Sequence, residues 1–360
     1  MLNIDKKIQV WYRYHGNDTI PNKTMPTIHD VAKLAGVSPI TVSRVLNNSG
    51  YASEETRARV EAAAAELGYV PNTLARGLRS KRTNTLALVM TDITNPYFTL
   101  IARGVEDTAS NSGYTVIFCN TDESEAEEEK YLNILVQKQV DGILLVPACS
   151  NSQSLKFLRS NEIPFVLIDR RVPDTRSDLV RSDSEQGAYN LTRHLIELGH
   201  KRIVTITGPQ EVSTSLDRAS GYQRAMKEAG LADLIEVYYG SFTQDSGYEL
   251  TSRALALKPR PTAIFGGNNF ISIGIFKALR DAGLIVPEDM SVVGFDDLPA
   301  SLLINPILTV AAQPAYQMGS QATELLLKRI TGQLPEASQE IILPTEMIVR
   351  RSSGKPREDL

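Results

Sequence analysis

Apolar residues follow two different patterns along this chain. Between residues 27 and 67 they recur every three or four positions, which predicts amphipathic helices. From Thr85 onward, short apolar runs alternate with amphipathic stretches, which predicts parallel sheets with helices on both faces. The apolar runs cover residues 86–90, 115–118, 142–146, 165–168, 203–206, 237–239, 263–265 and 291–295. So many strands predict two doubly wound lobes rather than one.

Residues 27–48 predict two short helices joined by a glycine turn. Thr27 and Asp30 fit a capping box, in which side chains satisfy free backbone amides at the helix start. Ser38 followed by Pro39 predicts the start of the second helix, because proline has no N–H to leave unsatisfied there. The apolar side chains expected to face inward are Val31, Leu34, Ala35, Val42, Val45 and Leu46. This pattern is typical of a helix-turn-helix, although an ordinary helical hairpin in another core is the alternative.

A third helix is expected between the cap residue Ser53 and Gly68, with Val60, Ala64 and Leu67 as its apolar stripe. A unit of three helices is small for independent stability, so we expect DNA or a second copy to support it. Residues 71–82 then carry four basic side chains and no acidic one. They favour a short helix that is marginal alone, and a charged linker is the alternative.

Charge is distributed unevenly. Residues 1–82 carry 12 Lys and Arg against 7 Asp and Glu, a net charge of +5, whereas the rest carries 26 against 35, a net charge of −9. A basic N-terminal segment on an acidic body suits a protein that touches phosphates with one end only. Cys119 and Cys149 are not spaced as metal ligands, and we expect buried thiols in a reducing compartment. No apolar run is long enough to span a membrane.

The expected organisation has five parts. These are a disordered extension (1–24), a helix-turn-helix domain (25–70), a hinge (71–82), a two-lobed core (83–353) and a polar tail (354–360). The extension lacks the apolar stretch of a signal peptide, and both Met1 and Met25 are possible starts of translation. The tail lacks the leucine heptads of a tetramerisation helix, which favours a dimer.

Polar residues directly follow four of the predicted strands, at 91–96, 169–171, 266–269 and 295–297. In open α/β sheets, ligands bind just beyond the carboxyl ends of the strands. We therefore expect these four segments to converge on one ligand-binding cleft.

Five segments together resemble the lactose-repressor/galactose-repressor (LacI/GalR) family of bacterial transcription regulators. They are residues 27–48, the YVPN segment at 69–78, GHKRI at 199–203, SVVGFDD at 291–297 and RRSS at 350–353. The resemblance implies a small all-α helix-turn-helix domain and an α/β core of two doubly wound parallel-sheet lobes, like a periplasmic binding protein. It also implies a cytoplasmic, nucleoid-associated homodimer. This dimer would bind a pseudo-palindromic double-stranded DNA operator under the control of a small-molecule effector.

The resemblance assigns DNA-binding positions as well. Pro39, Ile40 and Arg44 would read major-groove bases; arginine pairs naturally with guanine, whereas Pro39 and Ile40 offer only apolar contact. Leu78 would wedge into the minor groove and kink the DNA. Candidates for phosphate positioning are Thr27, Ser38, Thr41, Ser43, Asn47, Tyr51 and Ser53. The other hinge candidates are Asn72, Ala75, Arg76 and Arg79, with Lys81 and Arg82 beside them.

In the core, the resemblance implies an effector site for a sugar or sugar derivative, with purine-like ligands as the alternative. Carboxylates, amides and arginine hold sugar hydroxyls, and an aromatic side chain covers the apolar ring face. The implied positions are Asp92, Asn95, Tyr97, Phe98, Asp169, Arg170, Arg218, Phe242, Asn269, Asp296 and Gln313. This chain has Asn268-Asn269 where relatives often carry Asn-Asp, which removes one charge.

Two other classes of function compete with a repressor. A sugar-binding transport component predicts a signal peptide and no helix-turn-helix, contrary to this sequence. An enzyme is disfavoured because the chain has no GxSxG, P-loop or GxGxxG motif. His194 and His200 are expected to flank a helix end rather than pair with a serine or cysteine. The sequence therefore predicts a regulator without catalytic residues, metal or cofactor.

Overall fold

The structure is a computed structural model that describes residues 26–47, 49–70, 82–150, 153–173, 175–297 and 307–357. The chain divides into two units, Met1–Lys81 and Arg82–Leu360. The extension, the alternative starts and most of the hinge, including Asn72, Ala75, Arg76, Leu78 and Arg79, lie outside the described residues.

The described residues of the first unit form three helices, α1 (Ile28–Ala35), α2 (Pro39–Leu46) and α3 (Glu54–Leu67). The backbone N–H of Thr27 donates to Asp30 Oδ2 at 2.8 Å, as the capping box predicted. Gly36 ends α1 in the left-handed conformation, at φ +65°, and Ser38 Oγ accepts from the Thr41 N–H at 3.2 Å. The predicted helix-turn-helix and third helix therefore form where the capping residues place them.

One inward-facing assignment in this unit was wrong. Leu34 is 48% exposed, whereas Val31, Ala32 and Ala35 are buried against α2 and α3. At about 100° per residue, Val31, Ala32 and Ala35 define a narrow buried stripe, and Leu34 falls on its flank. The other predicted core residues of the unit are buried or half-buried.

The second unit contains twelve strands and eight α-helices in its described residues. Its strands are β1 (Thr85–Met90), β2 (Thr115–Asn120), β3 (Gly142–Leu145), β4 (Phe165–Ile168), β5 (Asp178–Ser182), β6 (Ile203–Thr207), β7 (Glu236–Tyr239), β8 (Ala263–Gly266), β9 (Ser291–Phe295), β10 (Thr309–Ala312), β11 (Glu340–Leu343) and β12 (Glu346–Ile348). Its helices are α4 (Pro96–Asn111), α5 (Glu125–Gln137), α6 (Gln153–Ser160), α7 (Ser184–Glu197), α8 (Ser213–Glu228), α9 (Gln244–Leu255), α10 (Asn269–Asp281) and α11 (Ala315–Ile330).

These strands form two six-stranded sheets with matching orders, β11-β5-β4-β3-β1-β2 and β12-β10-β9-β8-β6-β7. The described pairs are parallel except β10 with β12. All eight apolar runs became strands, while β5, β10, β11 and β12 were not predicted individually. The prediction of two doubly wound lobes is confirmed.

Helices cover both faces of each sheet. In the first lobe, α4 and α11 pack on one face and α5 and α6 on the other. In the second lobe, α9 and α10 cover one face and α7 and α8 the other. The helix pairs approach closely through glycine: a Cβ on Gly104 of α4 would lie 2.1 Å from the carbonyl oxygen of Tyr316 in α11. The chain crosses from one sheet to the other after β5, after β10 and after β11. Each crossing leaves the carboxyl end of a strand, and the two lobes face each other at these carboxyl ends.

Candidate ligand-binding cleft and nucleic-acid interface

A cavity of about 380 Å³ lies between the two lobes, at the carboxyl ends of seven strands. Nine of the predicted effector residues line it: Asp92, Asn95, Tyr97, Phe98, Asp169, Arg170, Arg218, Phe242 and Asp296. Thr91 and Asn268 also line it, in two of the segments expected to converge on the cleft, whereas sequence reasoning missed six lining residues: Asp122, Glu123, Pro209, Thr214, Ser241 and Thr243. Most of the missed residues lie within four positions of a strand end, and this location could have predicted that they line the cavity.

Two aspartates occupy matching positions in the two lobes. Asp169 directly follows β4 and Asp296 directly follows β9, and both have left-handed backbones, at φ +69° and +66°. This conformation costs a non-glycine residue about 1 to 2 kcal/mol. Backbone strain of this kind is common at functional sites, where a side chain must point in one direction. Here it turns two carboxylates into the same cavity.

Tyr97 and Gln313 fix the two carboxylates by hydrogen bonds. The Tyr97 hydroxyl donates to Asp169 Oδ1 at 2.7 Å, and Gln313 Nε2 donates to Asp296 Oδ1 at 2.5 Å. The Ser182 hydroxyl donates to Gln313 Oε1. Gln313 was predicted among the effector-binding positions, but it is not among the residues that line the cavity. It lies behind Asp296 and fixes the orientation of that carboxylate.

Burial perturbs the titration of these groups. It raises the pKa of Asp296 to about 6; Asp169 adds to the rise, while Arg218 and the hydrogen bond from Gln313 oppose it. Burial also raises the pKa of Tyr97 well above its ordinary value, and both carboxylates contribute. Tyr97 therefore keeps its proton and acts as a hydrogen-bond donor. The protein stabilises the charged form of Asp296 only in part.

Arg218 brings a buried cation to the second-lobe side of the cavity. It is 3% exposed, its Nη1 donates to the carbonyl oxygen of Gly267 at 2.6 Å, and its guanidinium stacks 4.1 Å from the ring centroid of Phe295. Its Nε, Thr91 Oγ1 and Arg170 Nε are buried without a hydrogen-bond partner among the described residues, although Arg170 Nε lies 3.9 Å from Asp169 Oδ2. Unpaired buried polar atoms are costly, so their concentration in the cavity lining indicates a site for a polar ligand.

Arg170 is the buried cation on the first-lobe side. Its Nη1 and Nη2 donate to the two carboxylate oxygens of Glu123 at 2.6 and 2.7 Å, and its guanidinium lies 5.3 Å from the ring centroid of Phe242. Burial lowers the pKa of Arg170 and Glu123 raises it, with a net rise. Phe242 fits closely over Gly208, where a Cβ would come within 2.3 Å of the ring. The contact between Arg170 and Phe242 joins the two lobes across the cavity.

The Asn268-Asn269 pair also acts at the junction of the lobes. Asn268 lines the cavity and caps α10, its Oδ1 accepting from the Ile271 N–H at 2.7 Å. Asn269 was predicted to bind the effector, but it is fully buried and absent from the lining. Its Nδ2 donates to Asn95 Oδ1 at 2.8 Å, from the second lobe to the first. An aspartate could not donate this hydrogen bond.

The two core histidines flank the end of α7, as expected, but each also contacts a serine. His194 Nε2 lies 2.9 Å from Ser353 Oγ, and His200 Nε2 lies 3.1 Å from Ser291 Oγ and 2.8 Å from the Gly354 carbonyl oxygen. Both therefore contact a serine, and they tie the C-terminal segment to the second lobe. Neither lines the cavity, and burial lowers the pKa of both.

The nucleic-acid interface predicted on α2 is open to solvent. Ile40 is 66% exposed, Arg44 is exposed, and Pro39, Thr41 and Ser43 are half-buried. Among the phosphate candidates, Thr27, Ser38, Tyr51 and Ser53 are exposed and Asn47 is half-buried. The hydroxyls of Thr27, Ser38 and Ser53 also cap helices. The second helix thus presents the arrangement that a major groove accepts.

No described residues form a group of three or more potential metal ligands, and no described helix is long and apolar enough to cross a membrane. Cys119 is buried and Cys149 half-buried.

Comparisons with known proteins identify the family to which the two parts of the chain are similar. Residues 27–72 match the family of bacterial regulatory proteins called the lacI family. Residues 83–350 match the periplasmic binding proteins and sugar-binding domain of the LacI family. The ribose operon repressor of Shigella flexneri is 38% identical over 333 residues, covering 92% of this chain and all of that repressor.

Solved structures give the same result. The transcriptional regulator CelR in complex with cellobiose is 35% identical with a TM-score of 0.69, covering 91% of this chain and 99% of CelR. The lac repressor dimer bound to operator and an anti-inducer is 28% identical with a TM-score of 0.81, over the same shares of the two chains. These relatives are transcriptional regulators rather than enzymes. The chain belongs to the LacI family of bacterial regulatory proteins.

Proposed function

We propose that this protein is a transcriptional repressor that binds a pseudo-palindromic operator as a homodimer and is controlled by a sugar-like effector in the interlobe cavity. The observation that carries the proposal is the presence of both sites in one chain: an open helix-turn-helix and a polar cavity between two lobes. A ligand that contacts both lobes favours one arrangement of them and so can change an equilibrium elsewhere in the chain.

Roles for individual residues belong to the same proposal. Arg44 reads a base, Pro39 and Ile40 make apolar contacts, and the capping hydroxyls of Thr27, Ser38 and Ser53 position the unit on phosphates. In the cavity, Asp169, Asp296 and Arg218 hold ligand hydroxyls, while Phe242 covers an apolar face. The boundaries 25–70, 71–82 and 83–353 are the proposed domains, and the proposed place of action is the nucleoid in the cytoplasm.

The cavity supports a ligand of the size of a sugar. Its volume of about 380 Å³ lies at the lower end of the usual range for small-molecule sites, roughly 300 to 1,000 Å³. The solved relatives include a regulator bound to cellobiose and a LacI-family regulator from Enterococcus faecium bound to ribose. By analogy with them, the proposed effector is a carbohydrate.

The direct test is binding of the full-length protein to DNA from upstream of its own gene, by gel shift, with and without a panel of sugars. The proposal predicts sequence-specific binding that at least one sugar changes. Failure to bind any such fragment, in the presence or absence of the panel, would refute a repressor function. A sugar response without DNA binding would favour the alternative, a sugar-binding protein without a DNA function.

The proposed hinge has its own test. If Leu78 wedges into the minor groove, Leu78→Ala should weaken operator binding strongly and leave ligand binding intact, because the bend and its contacts are lost. Isothermal titration with the effector separates the two effects. An unchanged operator affinity would refute this role of the hinge.

A further inference from the structure

Glu123 was not among the predicted site residues, yet it controls the orientation of the buried Arg170. The two side chains form a bidentate pair, with both carboxylate oxygens of Glu123 accepting from the guanidinium at 2.6 and 2.7 Å. Arg170 Nη1 also donates to the carbonyl oxygens of Pro147 and Ala148 at 2.9 and 3.2 Å. Bidentate pairing restricts both the position and the plane of an arginine. Arg170 is therefore immobilised before any ligand arrives.

The orientation that Glu123 imposes also builds one wall of the cavity. The immobilised guanidinium lies 5.3 Å from the ring centroid of Phe242, which belongs to the opposite lobe. A cation over an aromatic ring has its positive charge partly satisfied there. Arg170 therefore presents a flat, neutralised surface to the cavity, rather than an available positive charge.

The remaining charges in the cavity lining are mostly negative. Besides Glu123, the lining contains the carboxylates of Asp92, Asp122, Asp169 and Asp296, and the only cations among its described residues are Arg170 and Arg218. Arg170 pairs with Glu123 and lies 3.9 Å from Asp169, so the described lining holds five carboxylates against two guanidinium groups. An anionic ligand would meet net repulsion in a site of low dielectric constant.

Among the helices that begin at the cavity, α4 and α10 offer no substitute for a cation at their N-termini. Helix N-termini bind anions through free backbone N–H groups. The Asn95 side chain accepts from the Tyr97 N–H at 3.0 Å, and Pro96 has no N–H to offer. At the start of α10, Asn268 accepts from the Ile271 N–H. In these two helices, the first-turn amides nearest to the cavity are therefore partly occupied or absent.

We propose that Glu123 is a specificity-determining residue: by neutralising and immobilising Arg170, it makes the cleft select an uncharged polyhydroxylated ligand over its phosphorylated counterpart. The inference rests on the proposed function, since it takes this cavity as the effector site. It assigns the choice between neutral and anionic ligands to one carboxylate that does not have to touch the ligand.

The test compares neutral sugars with their phosphates on the full-length protein. The probes are ribose, glucose, galactose and fructose, each paired with its monophosphate, and the readout is the dissociation constant from isothermal titration. For the best-bound sugar, we expect wild-type protein to prefer the neutral member by roughly tenfold or more. Glu123→Gln keeps the size of the side chain but frees the charge of Arg170, and it should reduce that preference by about tenfold.

Asp122→Asn is the matched control, because it removes one carboxylate from the same lining without touching Arg170. Asp122 has a left-handed backbone, at φ +50°, which asparagine tolerates. If only the total charge mattered, the two variants would change the preference equally. We expect the change in Glu123→Gln to exceed that in Asp122→Asn, and adding Arg170→Gln to Glu123→Gln should abolish the gain in phosphate binding.

Each outcome bears on a different claim. Equal effects of Glu123→Gln and Asp122→Asn, or wild-type preference for a phosphorylated member, would overturn the role of Glu123 and leave the repressor proposal standing. A wild-type protein that binds its operator but none of the eight probes would overturn the sugar assignment, and this inference with it. Near-ultraviolet circular dichroism of each variant verifies that its fold is retained.

Discussion

The proposed DNA-reading surface and the effector cleft differ in how far their side chains are buried and held in place before a partner binds. On α2, Ile40 is 66% exposed and Arg44 is exposed. In the cleft, Arg170 and Arg218 are each 3% exposed, and protein groups already hold both guanidinium groups in place. One surface leaves its specific contacts to the partner, whereas the other has its polar groups arranged before the ligand arrives.

This difference has an energetic consequence. An exposed side chain contributes little to folding, so its replacement affects binding alone. A buried, hydrogen-bonded charge contributes to both folding and binding. Removing one partner of the pair leaves the other without a hydrogen bond in a low-dielectric site. Preorganisation lowers the entropy cost of binding a small ligand. We therefore expect variants of α2 to separate binding from stability, and variants of the cleft to couple them.

The largest effect is expected for Arg218→Ala. Among the described lining residues, this change removes the one cation that is not paired with Glu123, and it leaves Asp296 buried beside an empty space. Effector affinity should fall by about 100-fold or more, while operator binding without effector persists. Isothermal titration measures the first and fluorescence anisotropy the second. Arg280→Ala, at an exposed position on α10, is the matched loss of one cation; an equal loss of effector affinity in both variants would contradict the site.

Arg44→Ala should reduce operator affinity without reducing stability. A bidentate contact from arginine to guanine is worth about 1 to 3 kcal/mol of discrimination. We therefore expect a loss of this size on the operator, a smaller loss on scrambled DNA, and an unchanged urea midpoint. An equal loss on both DNA sequences would mean that Arg44 contacts phosphate rather than a base.

Asp296→Asn should show the trade-off between stability and function in the cleft. The pKa of Asp296 is about 6 in the folded protein and near 4 in an unfolded chain, so the folded state holds its proton more tightly. Stability is therefore lost as pH rises through this window, and the full penalty applies above about pH 6. Asparagine removes the charge and suits the left-handed backbone at this position.

The variant should thus be more stable than wild type at pH 8 by about 1 to 3 kcal/mol, with a smaller gain at pH 5. Its effector response should be lost, because the charged acceptor for ligand hydroxyls is gone. Urea unfolding at the two pH values measures the first effect and titration the second. A gain that is independent of pH would exclude the titration of Asp296 as its cause.

The smallest effect is expected for Ile40→Ala, which removes an exposed apolar contact. Operator affinity should fall by less than about 1 kcal/mol, with no change in the free energy of unfolding. Val42→Ala is the matched control on the same helix, because Val42 is fully buried. It should destabilise the first unit by about 1 to 2 kcal/mol. If Ile40→Ala were the more destabilising of the two, the assignment of the outer face of α2 would be wrong.

The elements could largely be predicted from the sequence, because their signals are local. Capping residues such as Ser38 and Ser53 locate the helix starts of the first unit, and uninterrupted apolar runs locate the buried strands. The strand β5 was missed because it begins with Asp178, a charged residue that is buried only because Arg329 pairs with it at 2.8 Å. A partner 151 residues away leaves no local trace.

The cleft was predicted less completely, for the same reason. Position after a strand indicates that Asp169 and Asp296 face one cavity, but it does not distinguish a side chain that lines the cavity from one that supports it. Gln313 and Asn269 hydrogen-bond to other polar side chains of the site, and Glu123, which was not predicted, orients Arg170. Their roles depend on distances between segments that are far apart in sequence.

The central claim is that the interlobe cavity controls operator binding. Its most direct test is a fluorescence-anisotropy titration of the labelled operator with full-length wild-type protein and Arg218→Ala, each with and without the identified effector. We predict that the effector changes the operator affinity of wild type by about tenfold, within the usual range of allosteric coupling, and leaves that of Arg218→Ala unchanged. An equal effector-induced change in both proteins, or none in wild type, would contradict the claim.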